Sequence, residues 1–257
     1  MPASFERLTA ALRGRWRDRR PWWRLYLGLR RTLRGRRALV WLMLLGFVAP
    51  WLVFIKIAEE IWEEKNFPGD HYLLETLHQH ATPTLNWLAR ALSTAGGPPA
   101  MRALTAALLA GLWALGRRLD AAFFLTSVGG AMVLNALVRT VFGRARPALW
   151  TTLVPAPFYS FPSGHAMGSA ALAVALGFLV ASRRGRWPVW VLGELFLLGV
   201  GWSRVYLGVH SPSDVLAGWV GSAGWVGGLH LLFSSYRGEL RAWGGQVAQV
   251  WRFRSHP

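Results

Sequence analysis

The chain has no cysteine. That absence excludes a disulfide-stapled secreted scaffold, thiolate metal sites and cysteine nucleophiles together. Charge is scarce as well. Only 16% of the 257 residues are charged, against about 25% in ordinary soluble domains, too few to cover a soluble globule of this size. Lysine is nearly missing, with two against 27 arginines. What fills the chain is apolar: 53% of residues, with 16 tryptophans among them. Tryptophan favours the membrane–water boundary, where its ring is buried and its N–H stays wet. These proportions describe a polytopic membrane protein.

The net charge of +17 raises the question of nucleic acid, and its position answers it. Residues 1–37 hold twelve Arg and two acids, without aromatic repeats or a base-reading motif. An Arg-rich stretch directly ahead of an apolar run is a cytoplasmic retention signal that also touches anionic lipid. No nucleic-acid partner is expected. The first apolar run, 38–58, is too long for the core of a signal peptide, and no small-residue cleavage site follows it.

Six runs approach the roughly 20 residues that cross a bilayer as helix: 38–58, about 100–116, 121–138, 166–182, 187–203 and 215–236. The segments between them alternate in character. Residues 1–37, 116–118, 183–186 and 237–257 hold 21 of the 29 basic residues, which places those segments and both termini in the cytoplasm. The expected fold class is therefore all-α. An Arg-rich cytoplasmic segment (1–37) precedes a six-helix membrane domain (38–236), and a cytoplasmic tail (237–257) follows.

Between the first and second spans, 59–99 reads as an interfacial helical segment on the outer side. Leu73, Leu74 and Leu77, then Leu85, Leu88 and Leu92 after Pro83, repeat with helical period but are too few and too polar to span. His71, His78 and His80 fall here. At i, i+2 the last two point to different helix faces, so solvated histidines are expected rather than a metal site. Gly224 and Gly228 form a GxxxG in the sixth span, a sign of close helix packing within one chain as readily as between two. Oligomeric state is left open.

Three polar clusters stand at the outer ends of spans: Arg139-x6-Arg146-Pro147, Pro162-Ser163-Gly164-His165 and Ser203-Arg204-x5-His210-x3-Asp214. Ionisable groups at such depth are costly and are functional candidates by default. Arg139, Arg146 and Arg204 converging on one point would hold a phosphate dianion through paired hydrogen bonds. Arg139 and Arg146 are two helical turns apart and share a face if the helix persists that far. Ser163 and Gly164 open an apolar helix whose N-terminal amides favour an anion, and the glycine lets a ligand approach the backbone. Asp214, four residues after His210, can orient one ring nitrogen and activate the other as a nucleophile. His165 is then the general acid for the leaving alkoxide.

With no cluster of carboxylates beside these motifs, the chemistry expected is a metal-independent phosphomonoester or diphosphate hydrolase that passes through a phosphohistidine, with no cofactor. Singly, each string has a bland reading: an Arg-Pro ends a helix, and a Pro-Ser-Gly-His leads into one. A fixed four-residue string arises by chance about once per hundred thousand residues, and here three motifs occur in order and on one side.

The set resembles the type 2 phosphatidic acid phosphatase (PAP2) superfamily, whose pattern is KxxxxxxRP, PSGH and SRxxxxxHxxxD, over roughly residues 38–236. The resemblance implies a six-helix core, with His210 as nucleophile, Asp214 as its partner and His165 as acid. It implies Arg139, Arg146, Arg204, Ser163 and Gly164 as phosphate ligands. In one departure, Arg139 stands where the family has lysine, keeping the charge but replacing a point donor with a fork. Arg144 is an extra cation, expected to face lipid.

The resulting reading is a lipid phosphatase on the outer side of a bacterial inner membrane. Undecaprenyl diphosphate, phosphatidylglycerophosphate and phosphatidic acid are its candidate substrates, the first favoured because many bacterial members resemble outward-facing diphosphatases. Two alternatives stand beside it. One is a vanadate-dependent haloperoxidase-like protein, against which the six spans count. The other is a non-catalytic lipid-binding or transport protein, against which the intact histidines and Asp214 count. Outside every motif, Glu194 and His230 lie about 10 and 9 Å from the cytoplasmic boundary at 1.5 Å per residue. Either they hydrogen-bond to each other, or each faces a neighbouring helix or cytoplasmic water separately.

Overall fold

In the computed structural model the described residues are 40–41, 43–63, 67, 69–147, 150, 159–181 and 186–254, with side chains described as far as Tyr236. The Arg-rich segment 1–37 therefore lies outside them, as do the side chains of 237–257. The chain divides into two units, 1–44 and 45–257, and the second carries every motif.

Proline starts most of its helices. α1 (Ala49–Trp62), α3 (Pro83–Ala95), α4 (Pro98–Ala114), α7 (Trp187–Tyr206) and α8 (Pro212–Arg254) each have proline at one of their first two positions, where the missing N–H would have had no helical partner. α2 (Asp70–Gln79), α5 (Arg118–Phe142) and α6 (Gly164–Val180) complete the set. No strand occurs among the described residues.

α6 is the central helix, packed by α5, α7 and α8, while α1 lies on α8, α3 on α7 and α4 on α5. Its composition explains the position. From Ala166 to Ala173 every residue is buried, and six of the eight are Ala, Gly or Ser. Helices in lipid gain little from hiding apolar surface from one another, so small side chains that permit close approach decide which helix can be surrounded. The approach is close at the start of α6, where a Cβ on Gly218 of α8 would sit 2.9 Å from the Ser163 carbonyl oxygen. Further along α8, a Cβ on Gly224 would meet Trp51 at 2.9 Å and one on Gly228 would meet Phe47 at 2.8 Å. The GxxxG pair is thus used within the chain, against α1 and the residues before it.

Among the described residues, three helices are long and apolar enough to cross a membrane: α5, α7 and α8 over Pro212–Tyr236. α6 is apolar but has 17 residues. Large side chains left exposed on α5 and α7 include Leu125, Val133, Leu137, Val141, Leu192 and Leu195, a surface suited to lipid rather than water. Residues 59–99 hold the end of α1 and two further helices, α2 and α3. α8 does not stop near Tyr236 but runs on as helix to Arg254.

The Glu194–His230 pair does not form. His230 stacks on Phe178 with ring centroids 3.9 Å apart and meets Phe123 edge-on at 6.0 Å, whereas Glu194 is exposed on α7. The two residues are therefore separate, as the second of the two expectations held.

Candidate active site

The three polar clusters meet at the ends of α5, α6, α7 and α8. Arg139 comes from the last turn of α5. That helix stops because Gly143 adopts φ +56°, a left-handed conformation open to glycine at low cost. Arg146 therefore lies beyond the helix, and the shared helix face expected from the seven-residue spacing does not exist. The two guanidinium groups are drawn together by another route: each donates to the Tyr159 carbonyl, at 2.8 Å from Arg139 and 3.0 Å from Arg146. Arg146 also donates through Nη1 to the Val209 carbonyl and lies 3.1 Å from His210 Nε2.

Ser163 immediately precedes α6. Its amide does not wait for a ligand, because it donates to the Asp214 carbonyl at 3.0 Å, tying the start of α6 to the first turn of α8. Its hydroxyl is the free group. Gly164 packs closely, since a Cβ there would lie 3.0 Å from Asn135 Oδ1. Arg204 is 3% exposed and donates through Nη1 to Ser93 Oγ on α3. His165, half-buried, faces the α3–α4 junction, with its Nε2 3.6 Å from where a Cβ on Gly97 would be.

Asp214 enters from the first turn of α8, wholly buried. Its Oδ2 accepts the Ser211 N–H at 2.9 Å and lies 3.4 Å from His210 Nδ1. That separation is beyond an ordinary N–H···O bond, so Nδ1 is poised near the carboxylate without yet being bonded to it. The neighbours fix the tautomer. Arginine can only donate, so His210 Nε2 accepts from Arg146 and the ring proton sits on Nδ1, toward Asp214.

Burial, followed by the nearby Arg204 and Arg146, pushes the His210 imidazole down to about 4 against the opposing pull of Asp214. The ring is neutral at physiological pH, with its Nε2 lone pair intact. Arg146 is lowered to about 10 by burial and by Arg139, partly offset by Asp214, and keeps its charge.

Among the described residues, six buried side-chain polar atoms lack a hydrogen-bond partner, and four of them belong here: Arg139 Nε, Ser163 Oγ, Arg204 Nε and His210 Nδ1. An unsatisfied buried group costs about 1–3 kcal/mol, so such a concentration is the mark of a site whose partner is a ligand. Beside these atoms opens a cavity of about 1040 Å³. Its polar end is formed by Arg139, Arg146, His165, Arg204 and His210, and its body by Met101, Leu109, Val128 and Met132. The shape suits an amphiphile with an anionic head.

The structure adds residues that sequence reasoning missed. Asn135, one turn before Arg139, donates to the Pro162 carbonyl at 3.0 Å; a lone amide in an apolar run was its available signal. Arg144 does not face lipid. Past Gly143 the chain folds over the start of α8, and Arg144 Nη1 donates to Asp214 Oδ1 at 2.6 Å and to Ser213 Oγ at 2.9 Å. Its Nη2 lies 3.3 Å from Asp70 Oδ2. Two buried carboxylates hold this cation, which no apolar surface could do.

Comparison with known proteins gives the family. The PAP2 superfamily matches residues 120–237. An undecaprenyl-diphosphatase from Sulfolobus acidocaldarius is 33% identical over 190 residues, covering 72% of this chain and 86% of that protein. The chain belongs to the PAP2 superfamily. Phosphatidylglycerophosphatase B of Bacillus subtilis is a further relative, 26% identical over 176 residues, covering 66% of this chain and 86% of that one. The crystal structure of a transmembrane PAP2 type phosphatidylglycerolphosphate phosphatase from Bacillus subtilis has a TM-score of 0.63 and 27% identity, covering 75% of this chain and 96% of that chain. With these PAP2 neighbours and its apolar helices, the protein is a membrane protein.

Proposed function

We propose that this PAP2 protein is a lipid phosphatase that releases the terminal phosphate of a lipid monophosphate or diphosphate through a phosphohistidine on His210. The observation that carries the reading is the group of four orphaned buried atoms around a neutral, buried imidazole. In this reading Arg139, Arg146, Arg204, Ser163 and Gly164 bind the phosphate, displacing the resting contact between Arg146 and His210 Nε2. The Nε2 lone pair attacks phosphorus, the bond from phosphorus to the lipid-side oxygen breaks, and His165 protonates that oxygen. The phosphate dianion supplies the negative charge against which His165 can hold its proton. Positive charge reaching the His210 ring is met by Asp214 as the Nδ1–H closes the 3.4 Å gap. Water then attacks the phosphohistidine with His165 taking its proton, which frees inorganic phosphate and restores His210.

The donor set is three guanidiniums, two imidazoles and one carboxylate, which suits an anion rather than a divalent cation, so turnover is expected in EDTA. The apolar body of the cavity fits acyl or isoprenoid chains, and the 33% identity to an undecaprenyl-diphosphatase favours a polyprenyl diphosphate over phosphatidylglycerophosphate or phosphatidic acid. We place six spans across a bacterial inner membrane, adding 38–58, α4 and α6 to the three long apolar helices, with both termini cytoplasmic and the site outside. α2 and α3 then lie in the outer interface. Exposed tryptophans support this frame: Trp62 and Trp87 fall in segments read as outer, Trp113 and Trp187 at helix ends read as cytoplasmic. The segment 1–37 would rest on anionic lipid.

The test is phosphate release by purified protein in detergent with EDTA, offered undecaprenyl diphosphate, phosphatidylglycerophosphate and phosphatidic acid, together with alkaline-quench trapping of a phosphoenzyme. Release from at least one lipid and a base-stable, acid-labile phosphoenzyme are expected. Undiminished release by His210→Ala would refute the mechanism, and absolute dependence on added magnesium would refute the metal-independent site.

A further inference from the structure

The first residue of α2 lies outside every motif, yet its side chain reaches the catalytic cluster. Asp70 is 4% exposed. Its Oδ1 accepts the Ser213 N–H at 2.9 Å, and its Oδ2 accepts the Ser213 hydroxyl at 2.6 Å and the Arg144 guanidinium at 3.3 Å. Arg144 in turn donates to Asp214 Oδ1 at 2.6 Å. The placement is firm, because Leu74, one turn along α2, is 1% exposed and packs with Ala166, Val205 and Val215. The helix expected only to cover the outer interface thus delivers a carboxylate behind the nucleophile.

Charge arithmetic gives that carboxylate a purpose. Asp214 has two calls on it: Arg144 at Oδ1 and His210 at Oδ2. A lone Arg144–Asp214 pair would be neutral, and its guanidinium would oppose positive charge on His210. With Asp70 on the far side of Arg144 the trio carries net −1, and that surplus is available to the imidazole when it becomes cationic. The groups facing His210 are otherwise cationic or neutral: Arg204 from α7, Arg139 from α5, Arg146 from the following loop and His165 from α6. Among the described residues, Asp214 and Asp70 are the carboxylates of this network.

We infer that Asp70 is a positioning residue of the hydrolase, acting through Arg144 and Ser213 to keep Asp214 anionic and aimed at His210. The inference rests on the reading of His210 as nucleophile. It concerns phosphoryl transfer to the ring rather than substrate binding, so Asp70 should move kcat and leave KM alone.

The experiment uses the full chain in detergent and compares Asp70→Asn, Asp70→Glu, Arg144→Met and the Asp70→Asn/Arg144→Met double variant with wild type. Rates of phosphate release are taken against pH and normalised to folded protein. Asp70→Asn should lower kcat about tenfold, in the range seen when an outer partner of a reactive group is lost, with KM within about twofold. Asp70→Glu should recover part of the loss.

The acid limb of the kcat profile separates positioning from mere stability. Removing Asp70 takes negative charge from behind His210 and moves the limb to lower pH. Removing Arg144 takes away a cation and moves it to higher pH, and the double variant lies between them. If Asp70→Asn does not fold, Arg144→Met and Asp70→Glu carry the test through the same limb. Unshifted limbs in every folded variant, or D70N and R144M losses that simply multiply in the double variant, would overturn the inference. His210→Ala distinguishes the two failures: an active His210→Ala enzyme sinks the nucleophile reading itself, whereas a dead one beside an unperturbed Asp70→Asn sinks the positioning role alone.

Discussion

Two histidines near the same helix of this protein have opposite surroundings. His210, two residues before α8, is buried among Arg146, Arg204 and Asp214, and its Nδ1 has no hydrogen-bond partner. His230, twenty residues further on, is stacked face to face on Phe178 and edge-on to Phe123. A rule that treats every ionisable group within or at the end of a membrane span as functional flags both. The structure separates them by what they lack and what they touch. The group proposed to react sits among charges with an atom left unsatisfied, while His230 packs against aromatic rings. Polarity at depth is therefore a weak sign of function, and an unpaired atom beside opposing charges is a strong one.

The sharpest way to break this contrast is to remove each ring. His210→Ala should lower turnover by about 10⁴-fold or more, the scale on which loss of a nucleophile is felt, whereas His230→Ala should stay within about twofold of wild type at equal folded protein. Phosphate release measures both, and a His230→Ala enzyme as inactive as His210→Ala would erase the distinction. A smaller effect is expected from the cradle. Arg204→Gln removes a buried cation that contributes one orphaned Nε, and kcat/KM should fall by about 10²–10³-fold, as for loss of one preorganised donor. A fall of less than threefold would show that Arg204 serves only to hold Ser93.

The burial of His210 predicts a stability effect with a definite sign. Its pKa is near 6.5 in the unfolded chain and about 4 when folded. The unfolded state therefore binds more protons between those values. The neutral ring's contribution is fully present above pH 6.5 and is lost as pH falls through that window toward 4. Thermal unfolding in detergent at pH 7.5 and pH 4.5 should show wild type losing more stability than His210→Gln, by an amount on the order of 1–3 kcal/mol. Equal losses in the two proteins would mean that the ring is not held neutral.

How much of this could be read from the sequence depends on distance along the chain. The three clusters could be read because each motif is short and sits at the end of an apolar run, so period and position sufficed to place Arg139, His165, Arg204, His210 and Asp214 together. The role of Arg144 was hidden. Its direction is set by Gly143 ending α5, and its partners Asp70 and Asp214 are 74 and 70 residues away. No spacing rule reaches so far. Ser93 escaped notice for the same reason, since its contact with Arg204 spans 111 residues. The GxxxG pair announced close packing but not against what, because small residues state only that something approaches. Trp51 and Phe47 fill that space, and their bulk is the complement that the glycines required.

The smallest effect expected is the absence of one. Glu194 and His230 stand at similar depth, and a hydrogen bond between them would have tied α7 to α8. In the fold Glu194 is exposed and His230 is engaged by Phe178 and Phe123. His230→Ala should cost about 1–2 kcal/mol through the lost ring contacts, since aromatic pairs contribute about 0.5–1.5 kcal/mol beyond area burial. Glu194→Gln should change stability by less than about 0.5 kcal/mol, as exposed substitutions usually do. Because the two share no contact, the double variant should equal the sum of the singles within about 0.5 kcal/mol. The same cycle on Asp70 and Arg144, whose side chains meet at 3.3 Å, should depart from additivity by more than that. A coupling for Glu194 and His230 as large as the one for Asp70 and Arg144 would place the two residues in contact and tie α7 to α8 through them.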